Sequence, residues 1–221
     1  MDWAMVSFVQ RITATLALVT IGCWAWADDK DIPLNWRVLA AAKRMDAVQT
    51  RALIEQGAAV NARDREGETP LMMWVKAQDE AMVAWLLGKG ANANQEALSE
   101  VTPLMAAAYA GNTAVMRLLI DAGAQLERLD RVSKSALVYA VAQGNLEAAR
   151  LLLDRGAEVN RVSSHGVSAL MWAAGAGNVE CVKLLLERRA DPSLKDDRGK
   201  TAADIARELG KQEVAALLQR P

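Results

Sequence analysis

Along most of the chain, apolar residues gather into short runs separated by single glycines and polar turns. The run 113–122 is representative. Val115, Met116, Leu118 and Leu119 stand at i, i+1, i+3 and i+4, which puts them on one helical face and marks all four as core. The run before it opens with Thr102-Pro103-Leu104. Threonine or serine ahead of an apolar stretch is a helix start, and proline is tolerated at the first helical position. Gly111-Asn112 closes that run, since both residues accept the left-handed backbone of a tight turn. The pattern predicts two helices joined by a turn. Gly123 ends the second, and a short extended excursion leads onward.

This unit repeats. Gly57-Ala58, Gly90-Ala91, Gly123-Ala124, Gly156-Ala157 and Arg189-Ala190 follow one another in steps of 33 residues. Thr69-Pro70-Leu71, Thr102-Pro103-Leu104, Ser135-Ala136-Leu137, Ser168-Ala169-Leu170 and Thr201-Ala202-Ala203 share the period, as do Gly111-Asn112, Gly144-Asn145 and Gly177-Asn178. A single helix pair cannot bury its own apolar face, so the core closes only when units stack.

Composition agrees with such a stack. Hydrophobic residues make up 52% of the 221 and charged residues 24%, which implies a packed core. With one Phe and two Tyr, that core is built mainly from aliphatic side chains. A net charge of −1 gives no general reason to expect nucleic acid or an anionic membrane as partner.

The first 27 residues depart from the pattern. Arg11 precedes an uncharged stretch of 16 residues, Ile12 to Ala27, which ends in Ala25-Trp26-Ala27 before Asp28. This resembles a secretory signal peptide over residues 1–27, with Ala25 and Ala27 forming the small-x-small cleavage motif. An uncleaved anchor is the alternative, and a lipoprotein at Cys23 is a weaker one because Thr20 stands where such motifs carry leucine. Cleavage would leave Cys181 as the only thiol of a domain spanning 28–221, and would place that domain in the periplasm or outside the cell with no membrane attachment.

The residues that carry the repeat also carry a family resemblance. Asp64-Arg65-Glu66-Gly67-Glu68-Thr69-Pro70-Leu71, Gly90-Ala91-Asn92-Ala93-Asn94 and Gly156-Ala157-Glu158-Val159-Asn160 resemble the ankyrin repeat over residues 34–221. The resemblance implies an all-α solenoid of helix-turn-helix units with short β-hairpin fingers. Four full repeats are read, with a degenerate one at each end and a polar outer face on the last. There are departures. Met72, Met105, Val138 and Met171 replace the family histidine, which loses a hydrogen bond to the preceding Thr or Ser. Glu100 and Ser133 replace the finger glycine kept at Gly67, Gly166 and Gly199, which leaves those two turns open.

Catalytic chemistry finds little support. His165 is the only histidine and aligns with a finger tip, whereas Cys181 aligns with Met82, Val115 and Ala148 at a core position. No cluster has metal-ligand spacing, Gly175-Ala176-Gly177 reads as a helix end, and Asp196-Asp197 reads as a pair of solvated turn residues. The expectation is a protein that is not an enzyme and takes no cofactor or metal.

Family members usually meet partners through the finger tips and the exposed side of the first helices. Carried over by alignment, those positions form a row with charged ends and an apolar middle: Leu98, Val101, Tyr109, Arg131, Val132, Lys134, His165 and Val167. An exposed apolar patch with a polar rim marks an interaction site, with Tyr109 as the candidate anchor. Packing between fingers is the alternative use of the same residues. Trp36, Trp74, Trp85 and Trp172 fall on helix positions, and Trp85 aligns with Leu118, Leu151 and Leu184, which reads as core. The implied function is binding of another protein, either as a scaffold or as an inhibitor, immunity protein or stabiliser of an exported enzyme.

Overall fold

The computed structural model describes residues 32–219. The expected signal segment, with Ala25, Ala27 and Cys23, lies outside the described residues. Within them the chain forms six antiparallel helix pairs. These are α1 (Leu34–Lys43) with α2 (Ala47–Glu55), α3 (Pro70–Lys76) with α4 (Glu80–Gly88), and α5 (Pro103–Ala110) with α6 (Thr113–Asp121). Then come α7 (Ala136–Gln143) with α8 (Leu146–Asp154), α9 (Ala169–Ala176) with α10 (Val179–Glu187), and α11 (Ala202–Glu208) with α12 (Gln212–Leu218). The first helices of successive pairs pack more closely on one another than the second helices do, which lines the first helices and their fingers along one side.

Five of the six first helices start where the Thr/Ser signal predicts, whereas α1 follows Pro33 and has no side-chain cap. The hydroxyls of Thr69, Thr102, Ser135, Ser168 and Thr201 accept the amide of the residue three further on, at 3.2–3.4 Å. Two of the three methionines that replace the family histidine retain part of its role. Met105 Sδ accepts the Thr102 amide at 3.4 Å and Met171 Sδ that of Ser168 at 3.5 Å. A thioether is a weak acceptor, so packing and a poor hydrogen bond stand in for a good one.

Two side-chain ladders lock neighbouring repeats. Asn61 accepts the Asn92 amide at 2.8 Å and donates to the Gly90 carbonyl at 3.2 Å. Asn94 and Asn160 repeat both bonds one and three units later. Glu127, at the equivalent position, accepts the Glu158 amide at 2.9 Å. In the second ladder the Asn145 amide donates to the carbonyls of Ala108 and Tyr109, and Asn178 does the same to Val141 and Ala142.

A continuous apolar core runs from Val38 to Ala215. Val115, Met116 and Leu119 are buried in it as expected, but Leu118 is only half-buried. Four positions on a one-face pattern span too wide an arc for all of them to point inward, and Leu118 sits at the edge. Trp85 is likewise half-buried, with the Arg51 and Lys89 cations over its ring at 5.5 and 5.3 Å. The last pair presents polar residues outward, whereas the first leaves Trp36, Met45 and Val48 exposed.

Candidate partner-binding surface

The fingers are tight turns, with one isolated β-bridge between Val162 and Ser168 among the described residues. Three are held by a carboxylate at the turn's first position. Asp64, Asp130 and Asp196 each accept two backbone amides of their own turn at 2.8–3.0 Å. Ser163 Oγ does the same more weakly, at 3.2 and 3.3 Å. The expectation that Asp196 is solvated is wrong. It is buried, paired with Arg198 at 2.6 Å, and held below the usual carboxylate range chiefly by the Lys200 amide. The two turns without glycine keep the same form. Glu100 and Ser133 adopt φ of 63° and 61°, beside 76°, 70° and 74° at Gly67, Gly166 and Gly199. Side chains rarely enter this region, so these two turns hold a costly conformation.

Adjacent fingers are bonded to one another. The Leu98 amide donates to the Glu66 carbonyl at 2.9 Å, the Arg131 amide to that of Ser99 at 3.3 Å, and the Asp197 amide to that of His165 at 3.1 Å. Of the eight residues expected to meet a partner, Leu98, Tyr109 and Val132 are large apolar groups exposed by 58%, 55% and 62%. Arg131 and His165 are exposed, while Val101, Lys134 and Val167 are half-buried. Leu98 partly serves the neighbouring finger, because a Cβ on Gly67 would stand 3.2 Å from its Cγ.

The structure sorts this row into two grooves. Val101 and Tyr109 line the first, about 540 Å³, together with Met105, Ala106 and Tyr139. Val167 lines the second, about 450 Å³, with Trp172, Ile205, Leu209 and Arg198. Leu98, Val132 and His165 stand on finger tips and line neither.

Lys134 lies between the grooves. Its ammonium is 4.3 Å from the centre of the Trp172 ring and 5.9 Å from that of Tyr139. Tyr139 in turn meets Tyr109 edge to face, with centroids 6.2 Å apart. Asp130 orients this stack: one carboxylate oxygen holds the Val132 and Lys134 amides, and the other accepts the Tyr139 hydroxyl at 2.6 Å. Burial, reinforced by Asp130, pushes the Tyr139 phenol well above its ordinary value, so it stays a neutral donor. The sequence reading missed Tyr139 and Trp172 as surface residues. They share one repeat position with Ala106 and Ile205, and that spacing is the signal that would have found them.

Catalytic geometry does not assemble around His165 or Cys181. Cys181 is buried in α10, and burial pushes its thiol up, away from the reactive thiolate. His165 Nδ1 lies 3.3 Å from the Ser164 hydroxyl on an exposed finger. Among the described residues no three His, Cys, Asp or Glu side chains gather as a metal site, and no helix is long and apolar enough to cross a membrane.

Comparison with known proteins agrees with this architecture. Residues 71–163 match the family model for ankyrin repeats (3 copies), and residues 152–206 match that for ankyrin repeats (many copies). The crystal structure of EF0377, an ankyrin repeat protein, superposes with a TM-score of 0.76 at 29% identity, covering 84% of this chain and 98% of that one. A search of the curated proteins found no match. The chain belongs to the ankyrin repeat family and forms an all-α ankyrin solenoid. Ankyrin repeats are a non-enzymatic scaffold type that generally mediates protein–protein interaction. Because 582 solved chains match this one, the fold by itself does not select a partner.

Proposed function

We propose that the protein is exported and binds a partner protein through the side of the solenoid formed by the first helices and fingers. Tyr109 carries this reading. It is a large aromatic left more than half exposed beside an apolar groove, and its ring is held in place by Tyr139. Aromatic groups held this way, near the centre of a patch, dominate binding energy at interfaces. The uncharged stretch before Ala27 supports export, and the absence of any Asn-x-Ser/Thr site suits a bacterial envelope. Inhibition or stabilisation of an exported enzyme would use the same surface.

The test is capture from native envelope extract with the tagged full chain, beside a Tyr109→Ala variant. A partner held by the first and weakened by about 2 kcal/mol in the second is the expected result. Equal capture by both would sink the assignment of this surface. The mass of the exported chain decides the rest, since a protein starting at Asp28 excludes an uncleaved anchor.

A further inference from the structure

The two grooves are lined mainly by apolar groups, with Glu68 and Lys76 also bordering the first and Arg198 the second, and the group between them is a cation with no salt bridge among the described residues. Lys134 makes no salt bridge among the described residues, and its contacts are the rings of Trp172 and Tyr139. Its neighbours have other arrangements. Lys76 pairs with Glu68, Lys200 with Glu208, and Arg198 with Asp196. The carboxylate nearest in sequence, Asp130, is buried and fully used by Tyr139 and two amides. Arg131, at the tip of the same finger, likewise makes no salt bridge among the described residues and gives its guanidinium to the Leu98 carbonyl. Among the described residues, this part of the surface therefore holds two cations that make no salt bridge, with a mainly apolar groove on either side of Lys134.

We propose, building on the reading above, that the partner segment presents a carboxylate to Lys134 between two apolar side chains, one for each groove. The aromatic rings hold the ammonium by cation–π attraction and leave its outward side available. A glutamate or aspartate there forms a charge-assisted hydrogen bond while its flanking side chains displace water from the grooves. Tyr139 borders one groove and Trp172 the other, so the same rings that seat the lysine also wall the apolar sites. A partner with a basic residue at this point would bring like charges together, which makes Lys134 a determinant of specificity as well as affinity.

The test uses a displayed library of random peptides selected on the full-length protein, on Lys134→Glu and on Tyr109→Ala. Melting curves first check that Lys134→Glu remains folded. Selection by the unaltered protein is expected to enrich peptides with an acidic residue flanked by large apolar ones. Lys134→Glu is expected to weaken them by about tenfold or more and to enrich peptides with a basic residue at that place. Enriched peptides that lack an acidic residue, or that bind Lys134→Glu equally well, overturn the inference. If those peptides still depend on Tyr109, the surface stands and only its charge preference is wrong. If no peptide is enriched, a short single-stranded oligonucleotide is the next probe. Binding of that oligonucleotide that is lost in Lys134→Glu reassigns the site to phosphate and overturns the proposal. Binding of neither probe overturns it as well.

Discussion

A Cβ on Gly111 would stand 2.8 Å from the side-chain carbon of Asn145, so the glycine of one repeat and the asparagine of the next occupy a single shared space. Gly111 also holds φ at 75°, and Asn145 uses that space to reach the Ala108 and Tyr109 carbonyls. Gly111→Ala meets both obstacles. It is expected to lower stability by about 1–3 kcal/mol in urea unfolding. A change near zero would mean that Asn145 can move aside without losing its bonds.

Glu100 predicts the opposite sign. Its side chain is exposed, forms no ion pair among the described residues and sits at positive φ. Glu100→Gly relieves the strain, offset in part by the greater freedom of glycine in the unfolded chain. A gain of about 0.5–1 kcal/mol is expected from denaturant midpoints. A loss would show that this turn is not strained.

Leu118 and Leu119 are neighbours in sequence but not in burial. Leu119 is fully buried, and Leu119→Ala is expected to cost about 2–5 kcal/mol through the cavity it leaves. Leu118 is half-buried, so Leu118→Ala removes less contact and should cost less than half of that. Paired thermal melts check the order of the two values.

The last two repeats should weaken in acid. Asp196 and Asp204 are held below the ordinary carboxylate range, first of all by the backbone amides of Lys200 and Thr201. A carboxyl with a depressed folded-state pKa contributes stability that is present above its unfolded value of about 4 and is lost as pH falls from there. Melts taken at neutral pH and below pH 4 should therefore separate the protein from Asp196→Asn. The variant should be less stable at neutral pH and less sensitive to acid. Parallel pH profiles would rule out this role for Asp196.

The repeat itself was plain in the chain because its signals are local. A Thr or Ser, an apolar run, then Gly-Asn: each acts on its own few residues, and five helix starts formed where they were read. The exposed finger-tip positions of Leu98 and Val132 were legible from the family resemblance, carried over along the same repeat. What escaped was anything decided between repeats. Tyr139 and Trp172 share a repeat position with Ala106, which does not mark it as a surface site, and only stacking brings Lys134 between the two rings. Asp196 looked like a solvated turn residue, yet four donors enclose it once the finger closes. Glycine's absence at 100 and 133 was visible, but not that other residues would adopt its backbone.

The finger over 97–101 differs from the others. At the position where its neighbours carry Asp64, Asp130 and Ser163, it has Ala97, which offers no side-chain acceptor to the turn's amides. The same finger also lacks the glycine. It is thus the least secured point along the row, and Ser99 and Val101 beside it line the groove of Tyr109. Hydrogen exchange should find the Ser99 and Val101 amides trading their protons before those of Glu66 and Val132. The solenoid would then give way first at this finger, beside the proposed binding groove, so that a partner bound there would act as a splint across the joint.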